Sequence, residues 1–92
     1  MIKDLGAIFK NGVESMITTF DNNYLFAASY AGHLKQISLE SQQIVRDYGK
    51  IYGLSINSLE TTRDSKWLFA CSEYNYVTRI SVENREVDKD LG

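Results

Sequence analysis

YLFAASYAGHLKQISLE, at residues 24–40, comes back once as WLFACSEYNYVTRISVE at residues 67–83. The copies start 43 positions apart, and the match extends both ways without a gap. Thr18, Thr19 and Asp21 recur as Thr61, Thr62 and Asp64, while Asp47 and Gly49 recur as Asp90 and Gly92. Of the 43 aligned positions 14 are identical, and others are conservative, such as Met16/Leu59, Leu34/Val77 and Ile44/Val87. Fixed-period self-similarity is the mark of a repeat architecture, so the unit to be explained is one repeat.

Each repeat reads as four strands. Apolar and β-branched residues alternate with a period near two, which argues against helix. The expected strands are residues 13–19, 24–29, 33–39 and 42–48 in the first copy, and 56–62, 67–72, 76–82 and 85–91 in the second. Asp, Asn and Ser crowd the turn at 20–23 and its counterpart at 63–66, and these residues accept left-handed backbone and cap turns. Gly32 and Asn75 supply the positive φ that a tight hairpin requires between the second and third strands. The second strand is apolar or small on both faces and is expected to be covered on both sides. The last strand, QQIVRDY or REVDKDL, is polar and is expected at a solvent edge.

The residues at 3–6, KDLG, return letter for letter at 89–92, two periods later. Both ends therefore share one phase of the repeat. Residues 1–6 are expected to be the tail of a preceding unit, its outer strand, with one unit at 7–49 and a second at 50–92. A piece of a longer array, or a unit built to join copies of itself, would look like this.

Four strands in about 40–45 residues are the signature of a β-propeller blade. The order of an apolar strand, an Asp turn, then Leu-x-Ala-x-Ser (Leu25, Ala27, Ser29; Leu68, Ala70, Ser72) and a hairpin into an apolar strand resembles the WD-repeat family. The resemblance implies an all-β fold: two four-stranded antiparallel blades, part of a larger or oligomer-completed propeller. The departures are specific. The family's closing Trp-Asp aligns with Ile37-Ser38 and Ile80-Ser81, its Gly-His lies near Ile8-Phe9 and Ile51-Tyr52, and its hairpin Asp aligns with Ala31 and Tyr74. The polar network of that family is thus absent apart from Ser29 and Ser72. Apolar contacts of Ile37, Ile80, Phe9 and Tyr52 are expected in its place, because a half-kept polar network is worse than none.

Composition excludes several classes. Ten Lys and Arg stand against twelve Asp and Glu, with no basic patch for nucleic acid. No apolar run approaches the roughly 20 residues that span a bilayer. MIKDLGAIFK lacks the apolar core and cleavage site of a signal peptide. Cys71 is the single cysteine, aligned with Ala28; it is read as a small buried filler, and a lone thiol accords with a reducing, cytoplasmic setting.

Catalytic, cofactor and metal roles find no residues. His33, the lone histidine, has no ligand at metal spacing, and its counterpart is Tyr76. Asp21 and Asp64 suit turns, Asp47 and Asp90 suit the ends of edge strands, and Ser29 and Ser72 suit core hydroxyls with no base beside them. No phosphate-cradling glycine loop is present. What remains is a rim of partner-binding candidates: Tyr30, His33, Tyr52, Glu73, Tyr74, Phe9 and Lys10. These fall in the linkers before the first strand or in the second–third hairpins, which in the resembled family share the face most used for partners. Tyrosines there could anchor an interface, with Tyr30 and Tyr74 open to either reading, while Phe9 and Tyr52 are read rather as packing between blades. The expected function is a protein–protein interaction scaffold without catalytic activity. The alternative is a self-assembling two-blade unit, natural or engineered, closing a six- or eight-bladed homo-oligomeric ring, since two blades alone cannot close one.

Overall fold

The computed structural model describes residues 12–51, 55–73 and 76–90, the side chains of 89 and 90 excepted. Four strands form the first sheet: β1 (Val13–Thr18), β2 (Tyr24–Ser29), β3 (His33–Ser38) and β4 (Gln43–Lys50). Four form the second: β5 (Ile56–Thr61), β6 (Trp67–Ser72), β7 (Val77–Ser81) and β8 (Glu86–Asp90). Each sheet is an antiparallel meander in chain order. The expected all-β architecture of two four-stranded antiparallel sheets holds.

The turns explain where the strands stop. Thr19 donates its hydroxyl to Asp21 Oδ1 at 2.6 Å and accepts the amide of Tyr24 at 3.2 Å. Asp21 Oδ1 also takes the amide of Asn23 at 3.0 Å, with Asn22 at φ +62. The second copy repeats every part of this turn: Thr62 to Asp64 at 2.5 Å, Lys66 N to Asp64 at 3.0 Å, Trp67 N to Thr62 at 3.2 Å, and Ser65 at φ +63. The carboxylates expected in turns are there. Both are held below the ordinary Asp range, first by the threonine hydroxyl and then by the backbone amide.

The strand ends differ from expectation by a residue or two. β3 ends at Ser38, and the Leu39 amide carries the β2–β3 register one step further, to Asn23 O at 2.9 Å. Gln42 and Arg85, at φ +59 and +57, are spent on the β3–β4 and β7–β8 turns, so the last strands begin one residue later than expected. Both first strands carry a β-bulge at the same place, between Val13 and Ser15 and between Ile56 and Ser58. A bulge turns a strand edge and increases its twist.

The sheets stack face to face. Phe26, Ala28 and Leu34 of the first sheet form one buried cluster with Ile56, Leu59, Leu68, Ala70, Ile80 and Val82, flanked by Ile17, Tyr24, Tyr48 and Ile51. Burying a large apolar side chain contributes about 1.5–3 kcal/mol. The Phe26, Leu34, Ile56, Leu68 and Ile80 side chains are each fully buried. Direct hydrogen bonds between the sheets each contribute only about 1 kcal/mol net. Apolar contact therefore dominates the junction, and hydrogen bonds fix its register.

The sheets use opposite faces. The first offers the even positions of β2, and the second offers Leu68, Ala70 and Ile80, the repeats of Leu25, Ala27 and Ile37. β2 is closed at Phe26, Ala27, Ala28 and Ser29, whereas in β6 only Leu68, Ala70 and Ser72 are buried. Coverage on both sides, expected for both second strands, fails for β6 because its other face points away from the first sheet. Cys71 lies on that outward face and is half-buried, not the buried filler expected, although its counterpart Ala28 is fully enclosed. β4 is largely exposed, as its polar sequence requires.

Candidate interaction rim

The meander brings the start of β1, the end of β2, the start of β3 and the end of β4 to one edge of the first sheet. The second sheet repeats this. The linkers and second–third hairpins therefore share one rim, and the Thr-x-Asp turns lie on the other.

In the first blade the hairpin is built on Ser29. Its buried Oγ accepts the amides of Ala31 at 3.2 Å and His33 at 3.1 Å, while Gly32 N reaches Ser29 O at 3.2 Å. Gly32 takes φ +85, a left-handed conformation that favours glycine. The linker to the next sheet seats against it, with Ile51 N donating to Gly32 O at 2.9 Å. In the second blade Ser72, also buried, donates to Glu73 O at 2.9 Å. Both serines are core hydroxyls bonded to backbone.

Hairpin and linker meet at equivalent points in both blades. Tyr30 stands 55% exposed over Gly12, whose added Cβ would lie 4.0 Å from the ring. The Tyr30 phenol hydrogen-bonds Glu14, and that bond, followed by the carboxylate's charge, pushes the phenol above its ordinary pKa. The repeats of Gly12 and Tyr30 are Ser55 and Glu73. Ser55 Oγ donates to Glu73 Oε1 at 3.0 Å, and Glu73 N donates to Ser55 O at 3.1 Å. His33 is half-buried at the start of β3, paired with Lys50. Tyr30, His33 and Glu73 thus lie on the rim. Phe9, Lys10, Tyr52, Tyr74 and Asn75 lie outside the described residues, as do residues 1–6.

A buried polar link went unforeseen in the sequence. Tyr48 donates its hydroxyl to Gln36 Oε1 at 2.8 Å, and Gln36 Nε2 donates to Val82 O of the second sheet at 3.4 Å. Gln36 is fully buried. Burial pushes the Tyr48 phenol up to about 12, against the opposing pull of the Arg46 and Arg85 charges. Arg46 lies over the Tyr48 ring at 4.8 Å and donates its Nε to Arg85 O across the junction at 2.9 Å. β3, HLKQIS, is polar at four of its six positions, so nothing in the sequence singles out Gln36 as its buried polar residue. Ile37 and Ile80 do fill the core, as expected where the family's polar pair is missing.

Among the described residues, no group of three or more His, Cys, Asp or Glu could hold a metal ion. Nor is any helix there long and apolar enough to cross a membrane.

No protein-family model matches the sequence, and no curated protein does. Solved structures do resemble it. The chain is similar to the WD40 repeats of RRP9, with TM-score 0.81 and 14% identity over 90% of this chain and 26% of that one. It is equally similar to U3-55K, with TM-score 0.81 and 14% identity over 90% of this chain and 27% of that one. The β-propeller domain of Cps50 (Swd1) from Myceliophteria thermophila gives TM-score 0.66 and 20% identity over 76% and 22%. The chain therefore has the fold of β-propeller blades. More particularly, its two four-stranded antiparallel sheets correspond to two such blades, and the chain spans about a quarter of the length of each of these solved structures.

Proposed function

We infer that the chain is a propeller segment serving as a protein–protein interaction scaffold, with no catalysis of its own. The observation that carries this reading is the recurrence, one period apart, of a hairpin-to-linker contact on one rim: Tyr30 over Gly12, and Glu73 on Ser55. Two blades present the same framework with different side chains, an exposed phenol on one and a carboxylate on the other. Such a surface suits a protein partner, because aromatic groups on a rigid frame anchor interfaces at small entropic cost. The mild acidity of the chain disfavours nucleic acid, and the lone cysteine supports a cytoplasmic, reducing setting. No membrane role is assigned.

The test is a photo-crosslinking amino acid placed at position 30, with position 63 on the opposite rim as control, in extracts of the source cells. Products at defined mass from position 30 and none from 63 are expected. Equal products from both positions, or products from 63 alone, would overturn the assignment of this rim.

A further inference from the structure

We propose that the outward face of the second blade docks the outward face of the first blade of a second copy of this chain, head to tail. The inference uses the blade faces and is independent of the rim.

The chain already contains one such junction, and its parts are repeated, unjoined, at either end of the stack. Shifted by 43 positions, Tyr24, Phe26, Ala28 and Leu34 become Trp67, Phe69, Cys71 and Val77. All four line the outward face of the second sheet and are half-buried. Shifted back, Leu59, Leu68 and Val82 of that junction become Met16, Leu25 and Leu39 on the outward face of the first sheet. Leu59 is 7% exposed under the first blade, whereas Met16 is 63% exposed. Ala27 and Ile37, at the centre of that face, are already enclosed within the chain, so the new contact engages Met16, Leu25 and Leu39 around them.

The hydrogen bonds that set the register have competent counterparts. Ser15 Oγ donates to Ile56 O at 3.2 Å; Ser58 stands ready to do the same to Val13 O of the second copy. Asp21 N donates to Ser65 Oγ at 2.9 Å; Asp64 N would meet Asn22, whose amide oxygen accepts. Thr61 Oγ1 donates to Thr18 O at 3.5 Å; Thr18 of the second copy would donate to Thr61 O. Gln36 Nε2 donates to Val82 O; Arg79, a donor of longer reach, would meet Leu39 O. Arg79 is held on this face by Asp88 and lies 4.5 Å over the Trp67 ring. The backbone partners are supplied by the fold itself, and the side chains Ser58, Asn22, Thr18 and Arg79 supply the other half of each bond.

One substitution weakens the second junction relative to the first. Glu60 stands where Ile17 packs on the core, placing a carboxylate beside Phe69. The contact between copies is therefore expected to be reversible and concentration-dependent. A heterologous contact of this kind closes into a ring or runs on as an open chain. Three copies would give six blades and four would give eight.

Light scattering on a size-exclusion column, across a hundredfold range of concentration, tests this with two variants. Met16→Glu spoils the first blade's outer face at an exposed position, and Phe69→Glu spoils the second's. Circular dichroism confirms that each remains folded; should Phe69→Glu unfold, Val77→Glu replaces it. The full chain is expected to form trimers, tetramers or longer chains of copies, each single variant a monomer, and their equimolar mixture a heterodimer. Either variant should weaken association on the order of a hundredfold, as expected for an unpaired charge forced into an apolar contact. A folded wild-type monomer at every concentration would overturn the proposal. So would assembly unchanged by Met16→Glu, or a mixture that stays monomeric. Tyr30→Ala, on the rim, leaves assembly intact, so failure here and failure of the scaffold reading are separable.

Discussion

Tyr48→Phe isolates the buried polar link between the blades. The substitution keeps the ring, and with it the Arg46 contact at 4.8 Å, and deletes only the hydroxyl that donates to Gln36 Oε1 at 2.8 Å. Gln36 is fully buried, so its amide oxygen is left without that donor and without solvent. A buried acceptor stripped of its partner costs about 1–3 kcal/mol. For a domain of this size each kcal/mol moves Tm by roughly 4–8 °C, so a fall of about 5–20 °C is expected. The double variant Gln36→Leu/Tyr48→Phe removes the stranded oxygen as well. It gives up only the bond to Val82 O, long at 3.4 Å, and should recover at least half of the loss. Urea unfolding followed by Trp67 fluorescence, run as a double-mutant cycle, measures both effects. A Tyr48→Phe variant within about 2 °C of the wild type, or a double variant that loses the sum of the singles, would refute this account of the link.

Two further outcomes follow from local backbone geometry. Asp21 and Asp64 are held below the unfolded Asp value of 3.8 by their hydrogen bonds, so their stabilising contribution is full above about pH 4 and lost as pH falls through the lower folded values. Asp21→Asn/Asp64→Asn should therefore flatten the acid limb of a urea-midpoint profile between about pH 5 and 2, and an unchanged slope would contradict the assignment. Gly49→Ala should destabilise by about 1 kcal/mol through the backbone alone, since Gly49 sits at φ +71 with nothing within 4 Å of an added Cβ. Gly49→Asn should cost less, because Asn accepts left-handed geometry, and equal costs for Ala and Asn would argue against it.

The strands were legible because alternation and the 43-residue repeat reinforce one another: Leu25, Ala27 and Ser29 find Leu68, Ala70 and Ser72 at once. The Asp turns were legible too, since a short polar run between apolar strands has few other uses. The assignment of faces was not. A strand such as WLFACS is apolar on both sides, and only the stacking decides that Leu68 and Ala70 are enclosed while Phe69 and Cys71 look outward. Cys71 therefore reads in the sequence as an enclosed filler, although it lies half-buried on the outward face. The partnership of Gln36 and Tyr48 was hidden for a related reason. The two positions are 12 residues apart, and a bulge on each side of Gln36 and Lys35 sets which residues of β3 and β4 face each other. On the rim, Tyr30 and Glu73 followed from hairpin position, but their contacts with Gly12 and Ser55 needed the fold.

The central claim is that the two sheets stack with unlike faces, the even positions of β2 against Leu68, Ala70 and Ile80. Methyl-to-aromatic nuclear Overhauser contacts test it most directly, on the Met16→Glu form if the full chain assembles. The account predicts cross-peaks from the Phe26 ring to the Leu68 and Ile80 methyl groups, with none from Phe26 to Leu25 or Ile37 beyond those within the strand pair. Cross-peaks joining the Phe26 ring to the Phe69 ring and Val77 methyl groups would mean that like faces meet, and the stack described above would be wrong.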